Sequence, residues 1–373
     1  MKILINYQGR DGAGPVCALE WAKGFQKIGC DVYAAISCDA TNRNQWIEHL
    51  SEDHIFWIKT HKDKDGFSFI ITTLRLIFFD RFRMKWKFKK NHFDFTLRTL
   101  YGHWAYIVDK SVNRDRIVTL CHDPKIHSGE KKYIGKLYHK HIRQSDDVFV
   151  LTNSFKEVVH KNYGIPMKHI HYVPHGRMNM YQARQEVKYQ KYFDPKKVNF
   201  VFFGRIEKYK GLHVLCEACQ ILKRKRKDFT VLVAGNGDFQ PYKKGFEDLG
   251  CATVINRFIS DEEVGSLFEG ANIVTTVPYI DATQSGVIPL AYEYDTPIIA
   301  SDIGGLREQL DDGKIGLLFE NGNAEDLAEK MEVFIDHPEE FDNQVHLMRK
   351  YRDTLNWDVV AQQFIDELYG AHN

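Results

Sequence analysis

The sequence predicts an α/β fold of two Rossmann-like, doubly wound domains that face each other across a cleft. Short apolar runs alternate with helical patterns along the chain, which is typical of parallel sheets with crossover helices. The length of 373 residues favours two domains, at roughly 100–200 residues each. Between two such series, residues 179–197 are polar, charged and poorly periodic. We therefore expect this stretch to be an inter-domain linker.

The first domain is expected at residues 1–178 and begins with a complete strand–helix–strand unit. Residues 2–7 form an apolar run, and a glycine-rich turn at 8–15 leads into a helical pattern at 16–28. The next strand is expected at 31–37. The later strands, and the C-terminal helix expected to complete this domain, are predicted at 93–97, 116–120, 147–152, 169–173 and 357–373.

The second domain is expected at residues 198–356 and repeats the alternation of strands and helices. Parallel sheets of this kind bind ligands at the carboxyl ends of their strands, where the strand order reverses. The loops that follow the strands are therefore the candidate binding elements. The strands of this domain are predicted at 198–203, 230–234, 253–255, 273–276, 297–301 and 316–319.

The composition argues against several classes of protein. The 51 basic and 50 acidic residues leave a net charge of +1, whereas a nucleic-acid binder usually carries a strong basic excess. The seven cysteines are scattered, without the spacing of a disulfide framework or a zinc site. No signal peptide and no uninterrupted apolar run of about 18 residues is visible. We expect a cytoplasmic protein with no nucleic-acid partner.

The strongest chemical signal follows the strand at 198–203. Arg205 comes directly after Gly204, and Lys210 lies five residues later, just before a helix. Arginine offers a planar fork and lysine a point charge, and both suit phosphate oxygens. An isolated pair would more often be two solvated surface cations. The motifs around this pair favour a diphosphate site.

A second candidate element follows the strand at 273–276 and leads into a helix. Free backbone N–H groups at a helix start form an anion site. Asp281 lies just ahead of it, positioned to accept hydrogen bonds from hydroxyl groups. A phosphate site beside a hydroxyl acceptor is what a nucleotide-sugar requires. The donor-binding residues predicted in this element are Gln284, Ser285, Gly286 and Val287.

These motifs closely resemble those of glycosyltransferase family 4, the retaining nucleotide-sugar transferases of the GT-B fold. The resemblance covers most of the chain and is most specific between residues 170 and 321. Gly204-Arg205 with Lys210-Gly211 is similar to the family's phosphate-binding Arg and Lys. The other matching segments are Val173-Pro-His-Gly176, Gly235-Asn-Gly237 and Pro297-Ile-Ile-Ala-Ser-Asp-Ile-Gly-Gly305.

The resemblance also extends to the first domain. Thr119-Leu-Cys-His-Asp-Pro124 resembles the element whose histidine, here His122, faces the donor sugar. In the family the glycine-rich first turn, here Gly12 to Gly14, borders the cleft. The alternative for His122 is a buried histidine of the core. We expect it to lie at the site, because Asp123-Pro124 follows it beyond a strand end.

The sequence departs from the family at one motif. The family usually has two glutamates at E-x7-E spacing, the first toward the sugar and the second toward the ribose. Here Leu290 occupies the second position, and Asp281 replaces the first with one extra residue between them. Glu293 lies one turn along the helix and is our candidate for the ribose contact. The segment resembles a Gln-Ser-Gly variant of the motif.

The resemblance implies a retaining, metal-independent glycosyltransferase. It would move a sugar from a nucleotide-diphosphate sugar to a saccharide or lipid-linked saccharide acceptor, in surface polysaccharide or glycan assembly. The alternatives are a nucleotide-sugar epimerase on the same scaffold, and a non-catalytic protein that binds nucleotide-sugar or polysaccharide. We expect no cofactor and no metal, and we expect Asp63-Lys-Asp65 to be a solvated loop. The predicted catalytic residues are Arg205, Lys210, Asp281 and His122.

Residues 67–98 combine basic and aromatic side chains. Between 75 and 98 there are eight basic residues against Asp80 and Asp94, interleaved with aromatics. Such a surface suits an anionic membrane, so we expect a peripheral protein on its inner face. The alternative is a solvated face whose aromatics pack inward. Strict alternation from 81 to 89 would allow a strand, whereas the family resemblance favours a helix.

Overall fold

The computed structural model describes residues 1–60, 66–122, 124, 140–178 and 189–370. The chain forms two compact units, one of Met1–Pro174 with Asn356–Asn373 and one of His175–Leu355. The sequence placed the first boundary after residue 178, and the structure places it after Pro174. Part of the predicted linker, 179–188, lies outside the described residues.

The first unit is built on a seven-stranded, wholly parallel sheet in the order β3-β2-β1-β4-β5-β6-β7. Its strands are β1 (Lys2–Tyr7), β2 (Asp31–Ser37), β3 (Ile55–Ile58), β4 (His92–Arg98), β5 (Asn113–Cys121), β6 (Asp147–Val150) and β7 (Ile170–Tyr172). Its first helices are α1 (Ala13–Lys27), α2 (Arg43–His49), α3 (Gly66–Arg75), α4 (Arg81–Lys87), α5 (Ala105–Asp109) and α6 (Lys156–Tyr163).

The second unit is built on a six-stranded parallel sheet in the order β10-β9-β8-β11-β12-β13. Its strands are β8 (Val198–Phe203), β9 (Phe229–Gly235), β10 (Ala252–Asn256), β11 (Ile273–Val277), β12 (Ile298–Ser301) and β13 (Leu317–Phe319). Its helices are α7 (Leu212–Lys225), α8 (Lys243–Leu249), α9 (Asp261–Val264), α10 (Val287–Glu293), α11 (Gly304–Gln309), α12 (Ala324–Asp336) and α13 (Pro338–Thr354). The two sheets confirm the prediction of two Rossmann-like domains.

The last helix, α14 (Trp357–Tyr369), returns to the first unit and packs on α1. The rings of Trp21 and Trp357 meet edge to face, with centroids 5.3 Å apart. Gly24 allows this approach, because a Cβ there would lie 2.4 Å from the Trp357 carbonyl oxygen. Phe364 stacks on Phe149 of β6, with centroids 3.9 Å apart. The C-terminal helix therefore belongs to the core of the first unit.

The strand order of the second sheet reverses between β8 and β11, which are hydrogen-bonded neighbours. Loops at such a reversal diverge and leave a crevice at the carboxyl ends of the strands. Both candidate phosphate-binding elements follow these two strands. Helix α4 occupies residues 81–87, so the strand that the alternation at 81–89 allowed does not form. No helix among the described residues is long and apolar enough to span a membrane.

Candidate functional site

The loops after β8 and β11 are fixed directly against each other. The Ile280 N–H donates to the Tyr209 carbonyl oxygen at 2.8 Å. Gly211 has a φ of +66°, and a Cβ at this position would lie 1.7 Å from the Pro278 carbonyl oxygen. Only glycine fits such a backbone position and such a close approach. The Lys210-Gly211 turn and the segment before Asp281 therefore form one rigid junction.

The loop after β9 supports the arginine side of this junction. The Ile206 N–H donates to the Asn236 carbonyl oxygen at 2.9 Å. A Cβ at Gly235 would lie 1.7 Å from the Gly204 carbonyl oxygen, so the two backbones touch. These contacts hold the backbone around Arg205. In the structure, the Gly235-Asn-Gly237 segment therefore supports the backbone on both sides of Arg205.

The two cations differ in how firmly the protein holds them. The Arg205 side chain is 74% exposed, and its guanidinium is 3.9 Å from the Glu207 carboxylate. The Lys210 ammonium nitrogen instead lies 3.7 Å from the centre of the Tyr279 ring. Tyr279 is buried, at 1% exposure. Lys210 is thus oriented in advance by a cation–π contact, whereas Arg205 is free to close on a ligand.

Gln309 clamps the backbone of Ser285 with both ends of its side-chain amide. Its Oε1 accepts from the Ser285 N–H at 2.8 Å, and its Nε2 donates to the Ser285 carbonyl oxygen at 3.0 Å. The Ser285 hydroxyl donates to the Tyr279 hydroxyl at 3.2 Å and accepts from the Val287 N–H at 3.2 Å. The same tyrosine therefore orders Lys210 and the loop before α10.

This network leaves fewer backbone N–H groups available to a phosphate than the sequence predicted. The N–H groups of Ser285 and Val287 already have partners within the protein. Gly286 is exposed, and its N–H has no partner among the described residues. Of the N–H groups of Ser285, Gly286 and Val287, that of Gly286 is left to face a phosphate. Gln284 lies half-buried beside them.

The two carboxylates of the motif lie in different surroundings. Asp281 is exposed, with no hydrogen bond or ion pair to a described residue. Both oxygens of the Glu293 carboxylate accept from Arg177, at 2.8 Å from Nε and 2.7 Å from Nη2. This hydrogen bonding to Glu293 raises the pKa of Arg177. The Glu293 side chain is 4% exposed, and Leu290 is buried in the apolar core.

Arg177 also ties two distant segments of the second unit together. Its backbone N–H donates to the Leu355 carbonyl oxygen at 3.0 Å, while its side chain binds Glu293 on α10. The structure therefore gives Glu293 a partner that sequence reasoning did not identify. The Val173-Pro-His-Gly176 motif, directly before Arg177, was the only signal near it. Nothing in the sequence singled out Gln309 or Tyr279.

The remaining predicted residues belong to the first unit. His122 follows β5, and its Nε2 lies 2.9 Å from the Thr99 carbonyl oxygen. Gly12 precedes α1 with a φ of +76°. A Cβ at Gly14 would lie 2.0 Å from the Tyr7 hydroxyl oxygen. His122 and Gly12 lie in loops at the carboxyl ends of strands of the first sheet, and Gly14 lies in the first turn of α1.

The described residues contain no group of three His, Cys, Asp or Glu side chains placed to hold a metal ion. Asp63 and Asp65 of the D-x-D sequence lie outside the described part of the chain. All seven cysteines are free thiols.

Comparison with known proteins gives two family matches that follow one another along the chain. Residues 14–177 match the family described as Glycosyltransferase Family 4. Residues 183–351 match the family described as Glycosyl transferases group 1. The two matches meet near the boundary between the structural units.

Curated relatives are similar over part of their length. A D-inositol 3-phosphate glycosyltransferase of Paenarthrobacter aurescens is 27% identical over 176 residues, which are 45% of this chain and 42% of that protein. An alpha-D-kanosaminyltransferase of Streptomyces kanamyceticus is 22% identical over 216 residues, or 55% of each chain. The similarity therefore spans about half the length of these relatives.

Solved structures resemble the fold over nearly the whole chain. A glycosyltransferase from Rickettsia africae is 18% identical with a TM-score of 0.69, covering 99% of both chains. The Anabaena protein Alr3699/HepE, in complex with UDP and glucose, is 16% identical with a TM-score of 0.70, covering 99% of this chain and 100% of that one. At these identities the likeness establishes the fold. The two family matches, which together span residues 14–177 and 183–351, identify the chain as a glycosyltransferase of the family 4 type.

Proposed function

We propose that this chain is a retaining, metal-independent glycosyltransferase that moves a sugar from a nucleotide-diphosphate sugar to a saccharide or lipid-linked saccharide acceptor. The supporting observation is the junction at the reversal of the second sheet, where Lys210 is held over Tyr279. An exposed arginine, Arg205, lies on the same loop. Two cations of these types at the carboxyl ends of parallel strands suit a diphosphate.

The proposed chemistry places most of the catalytic effect on the leaving group. As the bond between the sugar and the diphosphate breaks, negative charge accumulates on the phosphate oxygens. Charges and dipoles already oriented toward that position stabilise the transition state without reorganising. Lys210 meets this requirement through its contact with Tyr279. Arg205 and the free N–H of Gly286 supply the other donors.

We assign Asp281 to the sugar hydroxyls, and His122 to the donor sugar, as the family resemblance implies. Asp281 is exposed and has no partner among the described residues, so its carboxylate is available to accept hydrogen bonds from sugar hydroxyls. For retention, we propose that the acceptor hydroxyl attacks the anomeric carbon from the side that the diphosphate leaves. The new C–O bond forms as the old one breaks, and the hydroxyl proton passes to a leaving phosphate oxygen.

The donor class is supported by what a structural neighbour binds. The Anabaena protein is described in complexes with UDP and with UDP-glucose. Glu293 was our candidate for the ribose contact, and its carboxylate is engaged by Arg177. A ribose contact by Glu293 would therefore require it to share or exchange that partner.

The experiment is a turnover assay with purified protein and a panel of nucleotide-sugars, preceded by thermal-shift screening. Ligands that bind the folded state raise its apparent stability, so the screen identifies the donor base. Transfer to a saccharide or lipid-linked acceptor supports the proposal. Isomerised nucleotide-sugar released without an acceptor would indicate the epimerase. Binding with no turnover on any acceptor would indicate a non-catalytic binding protein.

The acceptor class is linked to residues 67–98, which we propose meet an anionic membrane surface. A lipid-linked acceptor would be encountered there. The support is the exposure of aromatic side chains such as Phe78, Phe79 and Trp86 beside exposed cations. The alternative, an ordinary solvated face, required these aromatics to pack inward. A surface polysaccharide or glycan is the proposed end product.

A further inference from the structure

The segment at 66–87 carries an unusually apolar exposed face. Leu76 and Met84 are fully buried and attach it to the first sheet. Its opposite face leaves large apolar side chains in solvent, where isolated ones are normal but contiguous patches mark a binding surface. Those side chains are Phe67, Ile70, Ile71, Leu74, Phe78, Phe79, Phe82 and Trp86.

A single π-helical turn at Leu76–Asp80 joins α3 to α4. Such a turn inserts an extra residue into the helix and is often found at functional positions. Here it points Asp80 inward, at 2% exposure, while Phe78 and Phe79 remain outside. The turn therefore places a carboxylate beneath an aromatic surface.

A groove of about 560 Å³ lies on the segment at 66–87. Its apolar walls are formed by Ile71, Leu74, Phe78 and Phe79. The volume is within the range of sites that hold small molecules, roughly 300–1,000 Å³.

A cluster of three charged side chains, Arg75, Asp80 and Arg83, also lines the groove. Asp80 accepts from Arg75 Nε at 3.1 Å and from Arg83 Nη1 at 3.2 Å. Each guanidinium has five N–H donors and commits one to this carboxylate. The buried Asp80 thus fixes two arginines side by side, with donors left over for a second anion. Their side chains are 43% and 66% exposed.

We propose that this groove binds one phosphate-bearing membrane lipid, with a hydrocarbon chain along its apolar walls and the phosphate on Arg75 and Arg83. The proposal rests on the membrane contact of the proposed function and gives it a specific site. Residues 66–90 carry seven basic side chains against the single acid Asp80. A second copy of this chain would bring the same positive charge to the surface, whereas an anionic lipid complements it.

The test uses dihexanoyl phosphatidylglycerol, kept dilute enough to remain monomeric, with the matching phosphatidylcholine as the zwitterionic control. Binding is followed by the ³¹P line width of the lipid on addition of the full chain. We expect the phosphatidylglycerol line to broaden. Binding should be at least about tenfold weaker for the phosphatidylcholine, and for the phosphatidylglycerol in Arg75→Gln/Arg83→Gln, because charge-assisted hydrogen bonds are the strong ones. Inorganic phosphate alone should not compete at equal concentration.

Because the double arginine variant leaves Asp80 without partners, a second variant keeps the test decisive. Leu74 is half-exposed, so Leu74→Trp should fill the groove without disturbing the fold. We expect it to lose the monomeric lipid but retain sedimentation with anionic vesicles. The matched charge control, Arg81→Gln/Lys85→Gln, removes two cations from the same segment outside the groove and should bind the monomeric lipid normally.

Three results would overturn the groove: equal broadening by both lipids, normal lipid binding in Leu74→Trp, or self-association of the chain through this face without lipid binding. Nucleotide binding, measured on the same samples by thermal shift, separates the two proposals. If the wild type binds a nucleotide but not the monomeric lipid, only the groove is refuted. Lipid binding present without nucleotide binding on any donor refutes only the proposed transfer.

Discussion

The Lys210 ammonium lies over the ring of Tyr279, 3.7 Å from its centre, and the hydroxyl of that ring accepts from Ser285. One buried side chain therefore contacts both elements proposed to hold the diphosphate. The Tyr209–Ile280 backbone hydrogen bond reinforces the same junction. Because these contacts exist before any ligand arrives, the cost of orienting Lys210 is met during folding rather than during reaction.

Removing either cation should slow transfer. Arg205→Ala or Lys210→Ala is expected to lower kcat by about 10²- to 10³-fold, the scale for deleting one preorganised electrostatic group. Steady-state kinetics with the identified donor measures this. Lys208→Ala, an exposed lysine of the same loop, is the control and should stay near wild type. Near-normal kinetics in both folded test variants would reject the diphosphate assignment.

Two substitutions at Tyr279 should separate its ring from its hydroxyl. Tyr279→Leu removes the cation–π contact, worth about 0.5–2 kcal/mol, and should lower kcat/KM by about 2- to 30-fold. Tyr279→Phe keeps the ring under Lys210 and loses only the hydrogen bond from Ser285, so its loss should be smaller. Kinetics and melting temperature are measured together. Equal losses in both variants at equal stability would show that the ring does not orient Lys210.

Metal removal should leave the reaction largely unchanged. The proposed stabilisation of the leaving diphosphate comes from Arg205, Lys210 and a backbone amide rather than from a bound cation. The assay is transfer by protein dialysed against EDTA and run in EDTA, with added magnesium as the comparison. Complete loss that magnesium or manganese restores would contradict the metal-independent route.

Acid should destabilise the first unit through His141. Burial, with the positive charge of Arg98 nearby, lowers the pKa of His141 from its ordinary 6.5 to about 3. The unfolded chain binds this proton below pH 6.5 and the folded chain does not. The stabilising contribution of neutral His141 is therefore complete above pH 6.5 and declines as the pH falls toward 3, by up to about 1.4 kcal/mol per pH unit.

Urea unfolding of the wild type and of His141→Gln at pH 7 and pH 5 measures this contribution. The variant cannot take up the proton, so the wild type should lose more stability between the two pH values than the variant does. His92→Gln, at an exposed histidine, is the control and should behave as wild type. Parallel losses in the wild type and in His141→Gln would mean that another group dominates the acid transition.

Sequence patterns predicted the strands that position the site, because buried parallel strands read as apolar runs such as those of β8 and β11. They missed β3, at Ile55–Ile58. They also missed the clamp by Gln309, which lies 24 residues from Ser285, and the Arg177–Glu293 pair, whose members are 116 residues apart. Local patterns carry no information on such partners, which only the fold brings together.

Charge reversal on the exposed face of the 66–90 region should abolish membrane binding. The structure shows which cations to change: Arg83 is paired with Asp80, and Lys87 donates to backbone carbonyl oxygens, so altering them would disturb the fold. The exposed cations left for substitution by glutamate are Arg81, Lys85, Lys89 and Lys90. At about 1 kcal/mol for each cation near an anionic surface, losing and reversing four should eliminate co-sedimentation with phosphatidylglycerol vesicles.

The salt dependence of the wild type tests the same surface without mutation. Raising the ionic strength to about 0.15 M shortens the electrostatic screening length to about 8 Å, which should weaken binding. Binding should not be abolished, because the inserted aromatics contribute a part that salt does not remove.

The control for the charge-reversal variant is a fourfold glutamate variant at exposed lysines elsewhere in the chain, which should sediment normally. Those control positions are Lys168, Lys227, Lys244 and Lys350. Donor binding should be unchanged in both variants. If the wild type ignores anionic vesicles even at low salt, residues 67–98 do not contact a membrane, and the lipid-linked acceptor loses its structural support.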